Sequence, residues 1–172
     1  MKYPRLLSSG NNNRVIALTE TEVAKLFVDD TRSDIESEAE KMKYANAVNG
    51  LVCQFIRLDY IEELQAEALV MERIYGTDFW AYEVEKRDLW LYVFEDELKQ
   101  LHAAGFVHRD LKGPSNISGE AFDNILLTTQ GLRLIDVGIS AIRSQVGDQL
   151  FEKYEAVALK ELALFRAYFL NR

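Results

Sequence analysis

The most informative part of the chain is the run Val107-His108-Arg109-Asp110-Leu111-Lys112. A helical stripe precedes it, and two apolar runs follow, Asn124-Ile125-Leu126-Leu127 and Leu134-Ile135-Asp136-Val137-Gly138. Between the apolar runs stands Thr128-Thr129-Gln130-Gly131, which predicts a β-hairpin. A loop and a hairpin would bring two aspartates, an asparagine and a lysine into one cleft. Carboxylate and amide oxygens form the hard oxygen site that suits Mg²⁺.

Taken in order, these segments resemble the protein-kinase superfamily. The run from His108 to Lys112 looks like the catalytic loop, Asn124 before a strand looks like the metal-binding asparagine, and Asp136-Val137-Gly138 looks like the Asp-Phe-Gly element. The resemblance implies that Asp110 acts on the acceptor hydroxyl and that Lys112 reaches the transferred phosphate. It also implies that Asn124 and Asp136 hold Mg²⁺ beside ATP.

The resemblance extends upstream to a lysine and a glutamate. Residues 22–28 alternate with period two and predict a strand with Val23, Lys25 and Phe27 on one face. Lys25 then lies where the family has its phosphate-binding lysine. Glu38 lies on the next predicted helix and is the expected ion-pair partner of Lys25, with Glu36 and Glu40 as competitors.

Two further segments are expected to contact the nucleotide. Residues 69–74 resemble the strand that leads into the hinge, so we expect Met71, Glu72 and Ile74 to contact adenine. The phosphate-covering loop keeps one glycine where the family has a Gly-rich pattern, and its expected members are Gly10, Asn11, Asn12 and Asn13. Asparagine tolerates positive φ, so this turn can still form.

The catalytic loop departs from the family in its spacing. The family places its asparagine five residues after the aspartate, where this chain has Ser115. We assign the metal-binding role to Asn124, with residues 113–122 as an insertion, and keep Asn116 as the alternative. Val137 replaces the phenylalanine of the Asp-Phe-Gly element, and Arg109 has no obvious activation loop to bind, so we expect it to be structural.

The pattern of elements predicts an α+β fold of the protein-kinase-like, two-lobed kind. Strands are expected near residues 6–7, 15–18, 22–28, 52–60 and 68–74, with a helix after a possible N-cap at Ser33. Helices are also expected over about 84–104 and across the stripe from Phe151 to Phe169, which we interpret as core packing. We predict one domain: a β-rich N-lobe with one helix (about 1–72), a hinge (about 72–76) and a reduced, mostly helical C-lobe (about 77–172).

Composition limits the partners and the compartment. The 172 residues carry 20 Lys plus Arg against 28 Asp plus Glu, a formal charge of −8, which argues against nucleic acid and anionic membranes as partners. Cys53 is the single cysteine, which fits a reducing compartment. No signal peptide or membrane-span pattern stands out. We expect a cytoplasmic monomer with a protein substrate or docking partner, or an effector secreted by a leaderless route.

The resemblance implies an ATP- and Mg²⁺-dependent phosphotransferase, an atypical Ser/Thr protein kinase of minimal size. Its plan is similar to that of RIO-like kinases and short secreted effector kinases of bacteria. Two alternatives stay open. The poor glycine loop is compatible with a pseudokinase that serves as a nucleotide-binding or scaffold module. The missing peptide platform is compatible with a small-molecule kinase.

Overall fold

The computed structural model describes residues 3–9, 14–27, 34–113 and 122–171. These form a mixed α+β architecture, with an antiparallel sheet and one helix in the first part and three helices with two small sheets in the second. The expected α+β class is confirmed. The division into lobes and a hinge stays a prediction.

The first part is a five-stranded antiparallel sheet. Its strands are β1 (Arg5–Ser9), β2 (Arg14–Ala17), β3 (Glu22–Phe27), β4 (Phe55–Ile61) and β5 (Ala66–Glu72), in the order β1-β2-β3-β5-β4. All five predicted strands exist. The last two begin and end at other residues than expected, because a 3₁₀ turn over Glu62–Leu64 replaces the wider acidic turn and β5 stops at Glu72.

Strand β3 shows the expected alternation, and each of its faces is buried. Val23 and Phe27 belong to the main core, whereas Ala24 and Leu26 belong to a second, smaller cluster on the opposite face. Lys25 therefore lies on the same face as the main core, towards the rest of the molecule.

Helix α1 (Ile35–Asn46) packs on the main-core side of the sheet. Its N-cap is Asp34, whose carboxylate accepts hydrogen bonds from the backbone N–H groups of Glu36 (2.9 Å) and Ser37 (3.3 Å). The sequence-based expectation of a cap at Ser33 was wrong by one residue, because both residue types can cap and only geometry chooses between neighbours. The helix buries Ala39, Met42 and Ala45, and also the charged Glu38.

The second part begins with a 3₁₀ turn (Phe79–Ala81) and the long helix α2 (Val84–Ala103). Strand β6 (Phe106–Val107) pairs with β9 (Ala141–Ile142), and β7 (Ile125–Thr128) pairs with β8 (Gly131–Leu134) as the predicted hairpin. The β6–β9 pair therefore joins the two ends of the chain segment, residues 106–142, that carries Asp110, Asn124 and Asp136.

The chain ends in a short helix α3 (Arg143–Val146) and the long helix α4 (Asp148–Leu170). The α4 stripe is core, as predicted: Phe151, Ala158, Leu162, Phe165 and Phe169 are buried. These residues join the same hydrophobic cluster as Val23 and Met42 of the first part, so one core runs through both parts. Among the described residues, no helix combines the length and apolar character that a membrane span requires.

Candidate active site

The centre of the candidate site is a buried lysine shared by two carboxylates. The Lys25 Nζ lies 2.9 and 3.1 Å from the two Glu38 carboxylate oxygens and 3.0 Å from Asp136 Oδ1. These residues come from β3, from α1 and from the segment after β8, so the sheet, the helix and the hairpin all meet here. The competitors Glu36 and Glu40 are exposed on α1, and Glu38 is the partner that the fold selects.

The electrostatics of this triad follow from burial and proximity. Burial alone would lower the pKa of Lys25, but the Glu38 and Asp136 carboxylates raise it overall, which keeps the amine protonated. Burial raises the pKa of Glu38 in spite of Lys25. For Asp136, burial acts to raise the pKa, but the Lys25 ammonium outweighs burial and holds the pKa below its usual value. Lys25 thus favours the ionised form of Asp136, and this half-exposed carboxylate can attract a divalent cation.

The turn Asp136-Val137-Gly138 has little spare room. Asp136 adopts a left-handed conformation, with φ 55°, and the Gly138 N–H approaches its Oδ1 at 3.4 Å. A Cβ built at Gly138 would lie 3.3 Å from Glu38 Oε2 and 3.4 Å from Asp136 Oδ1. The glycine is therefore what lets the two carboxylates approach the turn. Val137 is fully buried and belongs to the main core.

Asn124 contacts Asp110 through its side chain. Its Nδ2 donates to the backbone carbonyl of Asp110 and to Asp110 Oδ2, both at 2.9 Å. The backbone carbonyl of Asn124 accepts a hydrogen bond from the N–H of Ile135 at 3.0 Å, and Ile135 directly precedes Asp136. The structure therefore brings the Asn124 side chain to Asp110 and pairs its backbone with Ile135, the residue before Asp136. The alternative Asn116 lies outside the described residues, as does most of the insertion.

Two side chains fix the backbone around Asp110. His108 is fully buried; its Nε2 donates to the Ile135 carbonyl (2.9 Å) and its Nδ1 accepts from the Asp110 N–H (3.3 Å). Burial lowers the pKa of His108, which fits this neutral tautomer. Arg109 donates to the Ile139 carbonyl at 3.0 Å and lies 3.6 Å over the Tyr154 ring. Arg109 is thus structural, as expected.

Glu161 is a member of the site that sequence reasoning missed. It projects from α4, and its Oε2 accepts from the backbone N–H of Leu111 at 3.2 Å, with a further backbone interaction at Lys112. Burial raises the pKa of Glu161, although the hydrogen bonds from the two backbone N–H groups act to lower it. A glutamate beside an apolar stripe resembles any surface residue of a helix, so the sequence gives no signal for it. Lys112 is half-buried beside this carboxylate.

The predicted nucleotide-contacting residues fall into three groups. Met71 is buried and Ile74 packs against the main core, and their contact with adenine stays a prediction. The Glu72 carboxylate is engaged elsewhere, because it pairs with Arg133 and accepts from the Gln54 N–H at 2.9 Å. Gly10, Asn11, Asn12 and Asn13 lie outside the described residues.

The donor set fits a magnesium ion. Among the described residues, no three His, Cys, Asp or Glu side chains cluster closely enough to hold a metal on their own. Mg²⁺ does not need such a cage, because it keeps several waters and binds through one or two carboxylates plus substrate phosphates. Asp136 supplies a carboxylate that is already ionised, and Asn124 an amide. The residues present therefore suit a metal that arrives together with a nucleotide.

Comparison with known proteins supports the fold. No protein-family model matches the chain, and no curated protein matches it in sequence. Among solved structures, it is similar to the Lpg2603 kinase of Legionella pneumophila bound to IP6, with a TM-score of 0.62 and 16% identity. The similarity covers 95% of this chain and 58% of the Legionella chain. The fold is thus kinase-like, while this chain spans little more than half the length of that neighbour.

Proposed function

We propose that this protein is an ATP- and Mg²⁺-dependent phosphotransferase that acts on Ser or Thr hydroxyls of a protein. The observation that carries the proposal is the buried Lys25, held between Glu38 at 2.9 Å and Asp136 at 3.0 Å. Burying the charges of Lys25 and Glu38 is costly, and a buried ion pair is no better than an apolar cluster for stability alone. A site that receives phosphates and a divalent cation gives this arrangement a chemical purpose.

Each residue has a role in this proposal. Lys25, oriented by Glu38, binds the α- and β-phosphates. Asp110 orients the acceptor hydroxyl and takes its proton as the new oxygen–phosphorus bond forms and the bond to ADP breaks. Lys112 stabilises the charge of the transferred phosphate. Asn124 and Asp136 hold Mg²⁺, which, when bound, neutralises charge on the phosphates.

The acceptor is proposed to carry a basic residue near its hydroxyl. A groove of about 360 Å³ beside the hairpin is lined by aromatic rings, including Phe79, Phe122 and Tyr168, and by the exposed Asp78 and Asp123. Asp123 directly precedes Asn124 in the chain. Carboxylates beside aromatic faces attract cations. Such a lining does not suit a polyanion such as the IP6 of the Legionella kinase.

Transfer of label from γ-labelled ATP with Mg²⁺ tests the activity. Wild type is expected to label itself or a generic protein acceptor, and Asp110→Asn is expected to lose this label while still binding nucleotide. The matched control is Asp88→Asn, which changes an acid on α2 that is 62% exposed in its side chain. Equal labelling by wild type and Asp110→Asn would refute the proposed role of Asp110. Nucleotide binding without transfer by wild type would favour the scaffold alternative.

The acceptor chemistry has its own test. A serine peptide with a flanking arginine is expected to be phosphorylated faster than the same peptide with glutamine there, and Asp123→Asn should reduce this preference. Asp88→Asn should leave it unchanged. Equal rates for both peptides with wild type would contradict the proposed basic acceptor but not the phosphotransfer itself.

A further inference from the structure

A second side chain of α1 reaches the turn that carries Asp136. Lys41 follows Glu38 by three residues, so both project from the same face of the helix. The Lys41 Nζ donates to the backbone carbonyl of Gly138 at 2.8 Å. Glu38 holds the same turn indirectly, through Lys25 and the Asp136 carboxylate. The helix and the turn are therefore joined by one contact to a side chain and one to the backbone.

The turn has a structural need for this contact. Asp136 lies at φ 55°, a region that residues with a Cβ adopt at some cost. The turn also brings Gly138 within 3.3 Å, measured from a built Cβ, of a Glu38 carboxylate oxygen. A carbonyl fixed by an ammonium group holds such a turn more firmly than one that bonds only to water, because charge-assisted hydrogen bonds are short and strong.

The environment of Lys41 indicates that the contact is maintained. Its side chain is half-buried, and burial lowers its pKa although Glu38 acts in the opposite direction. A lysine on a helix surface normally extends its ammonium group into water. Here the side chain gives up part of its hydration to reach a carbonyl that lies 97 residues further along the chain.

We propose that Lys41 is a positioning residue for the metal site, because it fixes the Asp136-Val137-Gly138 turn to α1 and so presents the Asp136 carboxylate to Mg²⁺. This inference rests on the proposed function, because it assigns Lys41 a role towards the metal of that site. Lys41 acts through the Gly138 backbone. Outer partners that orient a metal ligand commonly change metal affinity when they are removed.

The test measures the Mg²⁺ dependence of nucleotide binding, with a fluorescent ATP analogue titrated in EDTA and at increasing Mg²⁺. Lys41→Met is expected to need roughly 10-fold more Mg²⁺ than wild type for the same gain in affinity. Its affinity in EDTA should not change. Lys41→Arg keeps a charged donor and should restore the wild-type titration. The matched control is Lys43→Met on the same helix, where the lysine lies over the Phe55 ring at 4.5 Å.

The outcomes separate this inference from the function on which it rests. A wild-type protein that binds nucleotide identically with and without Mg²⁺ refutes the proposed function, and the role of Lys41 falls with it. A Mg²⁺-dependent wild type with an unchanged Lys41→Met overturns the inference alone. An equal loss of affinity in EDTA and in Mg²⁺ also overturns it, because that result indicates a general structural role. If Lys41→Met fails to fold, Lys41→Gln removes the charge with a smaller change of shape, and the same Mg²⁺-specific loss is expected.

Discussion

At the scale of single residues, Gly138 is a crowded position in the candidate site. Its missing side chain lets Glu38 and Asp136 approach the same turn, with contacts of 3.3 and 3.4 Å to a built Cβ. We expect Gly138→Ala to separate these carboxylates and to weaken Mg²⁺-dependent nucleotide binding roughly 10-fold. Gly50→Ala is the control, because nothing lies within 4 Å of a Cβ built there. Equal nucleotide affinity for both variants would show that the turn adapts freely.

The two histidines predict how stability depends on pH. His102 and His108 are the two histidines of the chain, both are buried, and burial lowers the pKa of each in the folded protein. Around and below the ordinary histidine pKa of 6.5, the unfolded chain therefore binds more protons than the folded protein does. Their contribution to stability is fully present above that pH and is lost as the pH falls towards the lowered folded pKa values.

This pH dependence can be measured by urea unfolding between pH 7.5 and 5.5. Each histidine is expected to add up to about 1.4 kcal/mol per pH unit to the slope of the free energy of unfolding. His102→Gln removes one titrating group and should give a flatter curve than wild type. His102 is the better choice for this test because His108 also holds the Asp110 backbone. Parallel curves for wild type and His102→Gln would contradict a lowered pKa of His102 in the folded protein.

At the scale of elements, helix α4 does more than fill the core. Its Glu161 accepts from the Leu111 N–H at 3.2 Å, although Leu111 and Glu161 are 50 residues apart. Leu111 is fully buried, so removing the acceptor leaves a polar group without its protein partner. Helix α4 thus supports the loop over residues 108–112 through Glu161, and the hairpin supports the same loop through Asn124.

We expect Glu161→Ala to reduce phosphate transfer roughly 10-fold and to lower the free energy of unfolding by about 1–3 kcal/mol. Glu161→Gln keeps an oxygen acceptor and should lose less of both. Lys160→Ala changes the preceding, exposed residue of the same helix and serves as the control. The measurements are the rate of label transfer and urea unfolding. Wild-type transfer by a folded Glu161→Ala would show that the loop holds its shape without the helix.

The sequence predicts those parts of the site whose signals are local. The strand alternation of β3 places Lys25 on the core face, and helical spacing narrows its partner to three glutamates, of which the fold selects Glu38. Glu161 and Lys41 carry no local signal, because each acts on a backbone group far along the chain. Such contacts depend on how elements pack, which the spacing of residue types does not encode.

At the scale of the whole molecule, a shared hydrophobic core and several charged side chains connect the first part to the second. Buried residues of the sheet and of α4 belong to one cluster, and Lys25, Lys41 and Arg133 each contact the other part. A shared core of this kind favours a single cooperative unfolding transition rather than separate melting of a sheet and a helical part. Because the main core crosses between the parts, neither can lose its packing alone.

The two tryptophans allow this cooperativity to be tested. Trp80 and Trp90 are the chain's two tryptophans, and both lie in the second part, in the 3₁₀ turn and in α2. Tryptophan fluorescence therefore reports the second part, whereas far-UV circular dichroism also reports the sheet and α1. We expect the two urea transitions to coincide, which is the standard sign of two-state unfolding. A fluorescence transition displaced from the dichroism transition would mean that the parts unfold separately, and the single-domain prediction would then be wrong.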